Sequence, residues 1–145
     1  MTAESEGLRE AIYIEVGVHP SYKRLTESKE PAESPFSTMK DLFMWAACLG
    51  ARRGCRKPLV SRETIFRWDQ LNSRDIVLLE AIALVVTGDP QVILHRNTVL
   101  EIAEECANAG IAELLDEIES RHGKPLWNLL EFVVKECALE GDGEE

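Results

Sequence analysis

The second half of the chain, from Ser73 onward, consists almost entirely of segments with helical apolar periodicity. Apolar residues recur there at intervals of three or four positions, and glycine or proline separates one segment from the next. This spacing is typical of amphipathic helices that pack on a shared core, and it leaves little sequence for a large sheet. We therefore predict a mainly α fold. The helices predicted in this half cover residues 74–87, 97–109, 111–121 and 125–137.

Residues that start or stop helices mark the limits of these segments. Ser73 is the predicted cap of the helix over 74–87, and Gly88 is its predicted end. Because that helix is apolar nearly all round, we expect it in the middle of the domain. Asp89 and the proline that follows it are predicted to open a short turn. Gly110 is expected to separate the next two helices.

The first half of the chain predicts one further helix and a small β element. A helix over 39–49 follows a cap at Ser37 or Thr38 and is predicted to end at Gly50. Alternating apolar residues predict a strand over 11–18, and β-branched and aromatic residues over 64–68 predict a second extended segment that pairs with the first.

A length of 145 residues fits one domain. We predict a single compact helical domain of about five helices with a two-stranded β element over residues 8–139, with a linker over 26–37. Residues 1–7 are predicted to be a disordered start and residues 140–145 an acidic tail. No apolar run approaches the roughly 20 residues of a membrane span, and the N-terminal sequence does not resemble a signal peptide. The cytoplasm is therefore the expected location.

The sequence lacks the common catalytic and metal-binding motifs. It contains no phosphate-binding glycine loop, no Gly-x-Ser-x-Gly and no His-Glu-x-x-His. Its four cysteines form no Cys-x-x-Cys pair. We expect Cys48, Cys106 and Cys137 to be core residues, whereas Cys55 lies between arginines, a setting that favours a thiolate. We predict no catalytic residue, no metal and no cofactor, although a site assembled from distant residues stays open.

Charge is distributed unevenly between the two halves. Residues 1–72 contain 11 Lys+Arg and 10 Asp+Glu, whereas residues 73–145 contain 5 and 16. One interpretation of the basic cluster in the first half is that it pairs with the acidic helices of the same molecule. The other is that it contacts phosphate on nucleic acid, which the net charge of -10 opposes. The candidate phosphate ligands are Arg52, Arg53, Arg56, Lys57 and Arg62.

Tryptophans and acidic helix faces are the candidate protein-contacting features. Trp45 falls at the flank of a predicted apolar helix face and is the best candidate for an exposed anchor, with Trp68 as a second partner-binding residue. The acidic residues predicted to face outward are either solvated surface or a site for a basic partner. They are Glu101, Glu104, Glu105, Glu113, Asp116, Glu117 and Glu119.

Several motifs between Phe36 and Leu115 occur in a fixed order. They are Met39-Lys-Asp-Leu-Phe, Ala46-Ala47, Leu49-Gly50, Arg56-Lys-Pro-Leu, Ile65-Phe-Arg-Trp, Ala81-Ile-Ala-Leu, Thr87-Gly-Asp-Pro and Glu105-Cys-Ala-Asn-Ala-Gly-Ile. Together they resemble the small proteins described as dnd system-associated protein 4, encoded beside prokaryotic DNA phosphorothioation genes. The resemblance implies an accessory role in a defence system that distinguishes sulfur-modified self DNA from foreign DNA. It carries over no catalytic residue.

Two hypotheses follow for the function. In the first, the protein is a non-enzymatic adaptor that docks a larger protein of the defence (restriction-modification) complex. In the second, it is a small DNA-binding regulator whose basic loop, Arg52 to Arg62, contacts phosphates directly. A homodimer through the apolar flank around Trp45 is a further alternative for the partner surface, and no membrane partner is expected.

Overall fold

Five α-helices and a pair of strands make up the part of the chain that is described in the computed structural model, residues 7–144, with side chains for residues 7–138. The predicted mainly α class with a small two-stranded β element is confirmed. In chain order the elements are β1 (Ala11–Glu15), α1 (His19–Glu27), α2 (Met39–Arg53), β2 (Arg62–Arg67), α3 (Ser73–Thr87), α4 (Arg96–Ile118) and α5 (Pro125–Glu144).

Helix α4 is the central element of the domain. It is 23 residues long, and twelve of its residues are buried. Helices α2, α3 and α5 and strand β1 all pack against it. The predicted break at Gly110 is therefore wrong, because the helices expected over 97–109 and 111–121 form one continuous helix. Gly110 lies inside it, in helical conformation, at the point where α2 crosses.

The crossing of α2 and α4 is so close that it excludes side chains at two positions. A Cβ atom at Gly110 would lie 2.0 Å from the carbonyl oxygen of Ala46, and one at Gly50 would lie 1.9 Å from the carbonyl oxygen of Cys106. Gly50 is thus an interior contact residue, and its prediction as a helix end is wrong. Helix α2 continues to Arg53 and ends at Gly54, which has a φ of 68°.

The predicted pairing of two extended segments is confirmed, with a shorter first strand and a second strand that begins two residues earlier and ends one residue earlier than predicted. Strands β1 and β2 pair antiparallel, with Ile12 opposite Phe66. The first strand ends at Glu15 rather than at Val18, because the chain enters a 3₁₀ turn and then α1. Pro20 occupies the first turn of α1, where proline is tolerated because the N–H that it lacks has no partner within the helix. Helix α1 itself was not predicted.

Helix α3 lies at the edge of the domain and not in its middle, contrary to the prediction. Only Leu79, Ile82 and Ala83 are buried on it. Its N-cap is Asn72, whose side chain accepts from the Asp75 N–H while the Asp75 carboxylate accepts from the Asn72 N–H.

The limits of the helices and of the turn after Val86 are largely as predicted, and only the start of α4 differs. Gly88 ends α3 with a left-handed conformation, and Asp89 caps the 3₁₀ turn over Pro90–Leu94. Helix α4 begins at Arg96, slightly before the predicted Asn97 or Thr98. Pro125 begins α5 as predicted.

The predicted domain limits stay predictions. The disordered start predicted over 1–7 falls almost wholly on residues 1–6, which lie outside the described residues. The first two residues of the linker predicted over 26–37 belong to α1, which ends at Glu27. The backbone of residues 140–144 belongs to α5, while the side chains of the acidic tail lie outside the described residues. None of the described helices has the length and apolar character needed to cross a bilayer.

The glycine crossing gives a prediction about stability. Gly110→Ala and Gly50→Ala each force a methyl group into helix backbone, so each variant is expected to lose about 1–3 kcal/mol of unfolding free energy. The matched control is Gly17→Ala, whose added methyl group meets nothing within 4 Å. Urea unfolding of the three variants checks this. Equal stability of Gly110→Ala and Gly17→Ala contradicts the close crossing.

Candidate protein-docking site

The arginines of the basic loop are held by carboxylates of the same chain. Arg53 lies between two helices, with its Nη2 atom 2.7 Å from Glu113 Oε2 on α4 and 2.6 Å from Glu136 Oε1 on α5. Arg52 Nε donates to Glu136 Oε2 at 3.0 Å, and Arg56 Nη2 lies 3.0 Å from an oxygen of Glu105. Three of the five predicted phosphate ligands therefore form internal ion pairs.

The backbone of the rest of the basic loop is held by hydrogen bonds to side chains of α4 and β1. Asn108, a buried residue on α4, donates through Nδ2 to the carbonyls of Lys57 and Pro58 at 3.1 and 3.2 Å. The Glu15 carboxylate accepts from two loop amides, those of Val60 and Ser61, and these bonds lower the pKa of Glu15 below its ordinary value. Asn108 and Glu15 position the loop, and no local sequence pattern indicated this role.

Lys57 and Arg62 have different surroundings from the three paired arginines. Both side chains are exposed. The Arg62 guanidinium carbon lies 5.8 Å from the centre of the Tyr13 ring, within the range of a cation–π contact. Of the predicted phosphate ligands, three arginines are thus held by carboxylates of the same chain, whereas Lys57 and Arg62 face solvent.

Most of the acidic residues predicted to point outward form ion pairs with basic residues of the same chain. Glu104 is only 4% exposed, which corrects its outward assignment: both carboxylate oxygens accept from the Arg9 guanidinium, and one also accepts from the Tyr13 N–H at 2.8 Å. This pair fixes the N-terminal segment onto α4. Four more of the predicted residues form ion pairs: Glu105 with Arg56, Glu113 with Arg53, Glu117 with Arg121, and Glu119 with Arg24.

An apolar groove lies between α2 and α5, with α4 at its base. Its cavity is about 200 Å³, below the roughly 300–1,000 Å³ of small-molecule pockets. A groove of this size accommodates a few side chains of a protein partner better than a cofactor. We call it the α2–α5 groove, and it is lined by Trp45, Cys48, Leu49, Arg52, Leu114, Phe132, Val133, Glu136 and Cys137.

The two predicted partner-binding tryptophans do not lie in one site. Trp45 is 42% exposed, lines the α2–α5 groove and packs edge-on against Phe36 with ring centres 6.0 Å apart. Trp68 is half-buried in a different depression, where the Arg96 guanidinium lies 4.0 Å from its ring centre. Trp45 is thus available as an anchor, whereas Trp68 is engaged in a cation–π contact with its own chain.

Of the three cysteines predicted to be core residues, one is exposed in the structure. Cys106 is buried and Cys48 is half-buried, and burial raises the pKa of both thiols above the ordinary value. Cys137 is exposed at the groove, so its assignment to the core is wrong. Within residues 7–138, no three His, Cys, Asp or Glu side chains are grouped closely enough to hold a metal ion.

Comparison with known proteins gives one match, to a family model. The model is described as DNA sulphur modification system-associated protein 4, and it matches residues 20–145. No curated protein and no solved structure matches the chain. The match covers most of the chain and confirms the resemblance read from the motifs between Phe36 and Leu115. The chain belongs to the family of DNA sulphur modification system-associated protein 4.

The internal ion pairs give a prediction about DNA. The triple variant Arg52→Ala, Arg53→Ala, Arg56→Ala is expected to change the affinity for duplex DNA less than about threefold, with or without phosphorothioate links, because these cations are already paired. Fluorescence anisotropy at low and physiological salt measures it. Wild-type binding that weakens by about 0.9 log units per log salt for each phosphate, and disappears in the triple variant, contradicts internal pairing and supports the regulator hypothesis.

A second prediction concerns pH. The hydrogen bond from Arg53, with another from Arg52, lowers the pKa of Glu136 below its ordinary value of 4.5. A carboxyl whose pKa is lower in the folded state stabilises the fold above its unfolded pKa, and this contribution is lost as the pH falls below about 4.5.

Glu136→Gln should therefore be less stable than wild type by up to about 1 kcal/mol at neutral pH, and the difference should be smaller at pH 3. Urea unfolding at the two pH values measures the difference. An equal difference at both values contradicts the ion pair.

Proposed function

We propose that this protein is a non-enzymatic adaptor of a DNA phosphorothioation-linked defence system that docks a larger protein of that system in the α2–α5 groove. Membership of a family associated with DNA sulphur modification supports the accessory role. The observation that carries the docking proposal is the groove itself: an open apolar site, lined by an exposed tryptophan, in a chain that the family model covers from residue 20 onward.

Buried aromatic anchors dominate the affinity of protein interfaces, and Trp45 has the position of such an anchor. It stands at the edge of the groove, held against Phe36, so its ring loses little conformational freedom on binding. Leu49 lies one turn further along α2 and Val133 faces it from α5 in the lining. A partner side chain inserted between these helices contacts apolar surface on both sides.

Charge around the groove indicates what kind of partner fits. Asp41 lies one turn before Trp45 on α2, and no cation pairs with it among residues 7–138. The chain as a whole is also acidic, with a net charge of -10. An amphipathic helix of the partner, apolar on one face and basic on its flanks, complements this combination.

The basic loop does not favour the alternative of a DNA-binding regulator. Its arginines at positions 52, 53 and 56 form ion pairs with α4 and α5, and breaking those pairs to reach phosphate removes contacts that join three helices. Polyanion binding is further opposed by the net negative charge.

The docking proposal is tested by binding to the proteins encoded with the sulphur modification genes, each purified singly. Trp45→Ala is expected to weaken binding to the cognate partner at least about 30-fold, the effect of a hot-spot residue worth about 2 kcal/mol. Trp127→Ala is the matched control, since Trp127 is also an exposed tryptophan but does not line the groove, and it should change the affinity less than about threefold.

Calorimetry measures both affinities after thermal unfolding has shown that both variants fold. Three results contradict docking in the groove. They are the absence of binding to any of these proteins at micromolar concentration, equal binding by Trp45→Ala and wild type, and a larger loss for Trp127→Ala than for Trp45→Ala.

A further inference from the structure

The solvent-facing side of α3 is apolar over three turns. Val77 is 63% exposed and Val85 is 72% exposed, and Leu84 and Ala81 are exposed beside them. These residues recur at the spacing of one helix face, opposite the buried side formed by Leu79, Ile82 and Ala83. We call this surface the outer face of α3, and it consists of Arg74, Val77, Ala81, Leu84 and Val85.

The outer face of α3 differs from the exposed surface of α4. The exposed positions of α4 include the charged residues Glu101 and Asp116. On α3, by contrast, no exposed position between Arg74 and the end of the helix at Thr87 is charged. Ile93 and Leu94 in the following turn are also exposed, but they line a separate depression with Trp68 and Arg96 and do not belong to this face. An exposed apolar helix face of this kind marks an interaction site.

The charges at the two ends of this face are opposite in sign. Arg74 lies in the first turn of α3, exposed, with no ion-pair partner among residues 7–138. Asp89 lies directly after the helix, also exposed, and the C-terminal carbonyls of α3 add partial negative charge beside it. A helix face that is positive at one end, apolar in the middle and negative at the other is complementary to an antiparallel copy of itself.

We propose that α3 packs antiparallel against α3 of a second copy of this chain, about a two-fold axis that passes near Ala81. In this register Val77 lies opposite the partner subunit's Val85, and Arg74 lies opposite the partner subunit's Gly88 and Asp89. The small side chain at the axis lets the two helices approach closely. The contact is isologous, so each apolar and each ionic contact is made twice and the assembly closes as a dimer.

This dimer is independent of the α2–α5 groove, because none of the residues that line the groove belongs to α3. The dimer therefore leaves both grooves available, and an adaptor with two grooves binds two partner molecules. Such an arrangement increases avidity for a partner complex that carries the docking segment in more than one copy.

Sedimentation equilibrium of the whole chain, from about 1 µM to about 1 mM, is the first test. The wild type is expected to approach twice the monomer mass of 16.3 kDa. The double variant Val77→Glu, Val85→Glu is expected to stay monomeric, and since both side chains are exposed it should fold normally. The matched control Leu130→Glu, Val134→Glu changes two exposed apolar residues of α5 and should dimerise like wild type.

Charge exchange tests the register. Arg74→Asp and Asp89→Arg alone should each weaken the dimer about tenfold or more, whereas an equimolar mixture of the two single variants should associate nearly as well as wild type. In the mixed dimer every Asp faces an Arg. A parallel pairing gives the same match in the mixture, but it already sets like charges together in wild type, so the single variants would not weaken it. Weakening by each single variant followed by rescue in the mixture therefore identifies the antiparallel register. Because Asp89 caps the turn after α3, Asp89→Asn serves as a second variant that keeps the cap and removes the charge, and it too should weaken the dimer.

The possible results discriminate between occupants of this face. A wild type that stays monomeric at all concentrations overturns the proposal and leaves the face to a different protein. A dimer that survives Val77→Glu, Val85→Glu but is lost in the α5 control variant overturns it in favour of an α5 interface. A dimer that depends on the α3 valines but shows no rescue in the mixture overturns the antiparallel register.

Discussion

The close crossing of α2 and α4 at Gly50 and Gly110 determines how the rest of the molecule is arranged. Backbone meets backbone at this point, so α2 lies along α4 with its last turn over the acidic residues of the longer helix. That proximity places Arg53 against Glu113 and Arg56 against Glu105. Helix α5 is then joined to α2 through Glu136, which pairs with Arg52 and Arg53, and the space left between α2 and α5 becomes the groove.

The distribution of polar contacts is the reason why we propose protein docking rather than DNA binding. Most of the basic loop is bound to the chain itself, by ion pairs through Arg52, Arg53 and Arg56 and by the amide of Asn108. What the described part of the chain presents to solvent instead is apolar surface on α2, α3 and α5. Exposed apolar faces of this extent are typical of interaction sites. In a family associated with DNA sulphur modification, they favour the hypothesis that the protein works as one component of an assembly.

The sequence predicted local structure well and long-range contacts poorly. The extended character of the two strands, the glycine that ends α3 and the start of α5 at Pro125 follow from local residue preferences, so they were predictable. Gly50 and Gly110 resemble helix ends in the sequence, because a glycine required by a helix crossing carries the same local signal as one required by a left-handed cap. Glu104 was assigned outward by its spacing, since its partner Arg9 is distant in the chain. The apolar character of α3 suggested a central helix, although it reflects a second, exposed apolar face.

Docking in the α2–α5 groove is best tested by hydrogen–deuterium exchange on the assembly isolated from cells that carry the sulphur modification genes, compared with the protein alone. If the partner occupies the groove, exchange is slower in the assembly over the groove segments of α2 and α5, around Trp45 and Val133, with little change over residues 55–61. Added duplex DNA alone should leave the exchange pattern unchanged. Protection confined to residues 52–62, or produced by DNA without any protein partner, contradicts the account and assigns the basic loop as the functional surface.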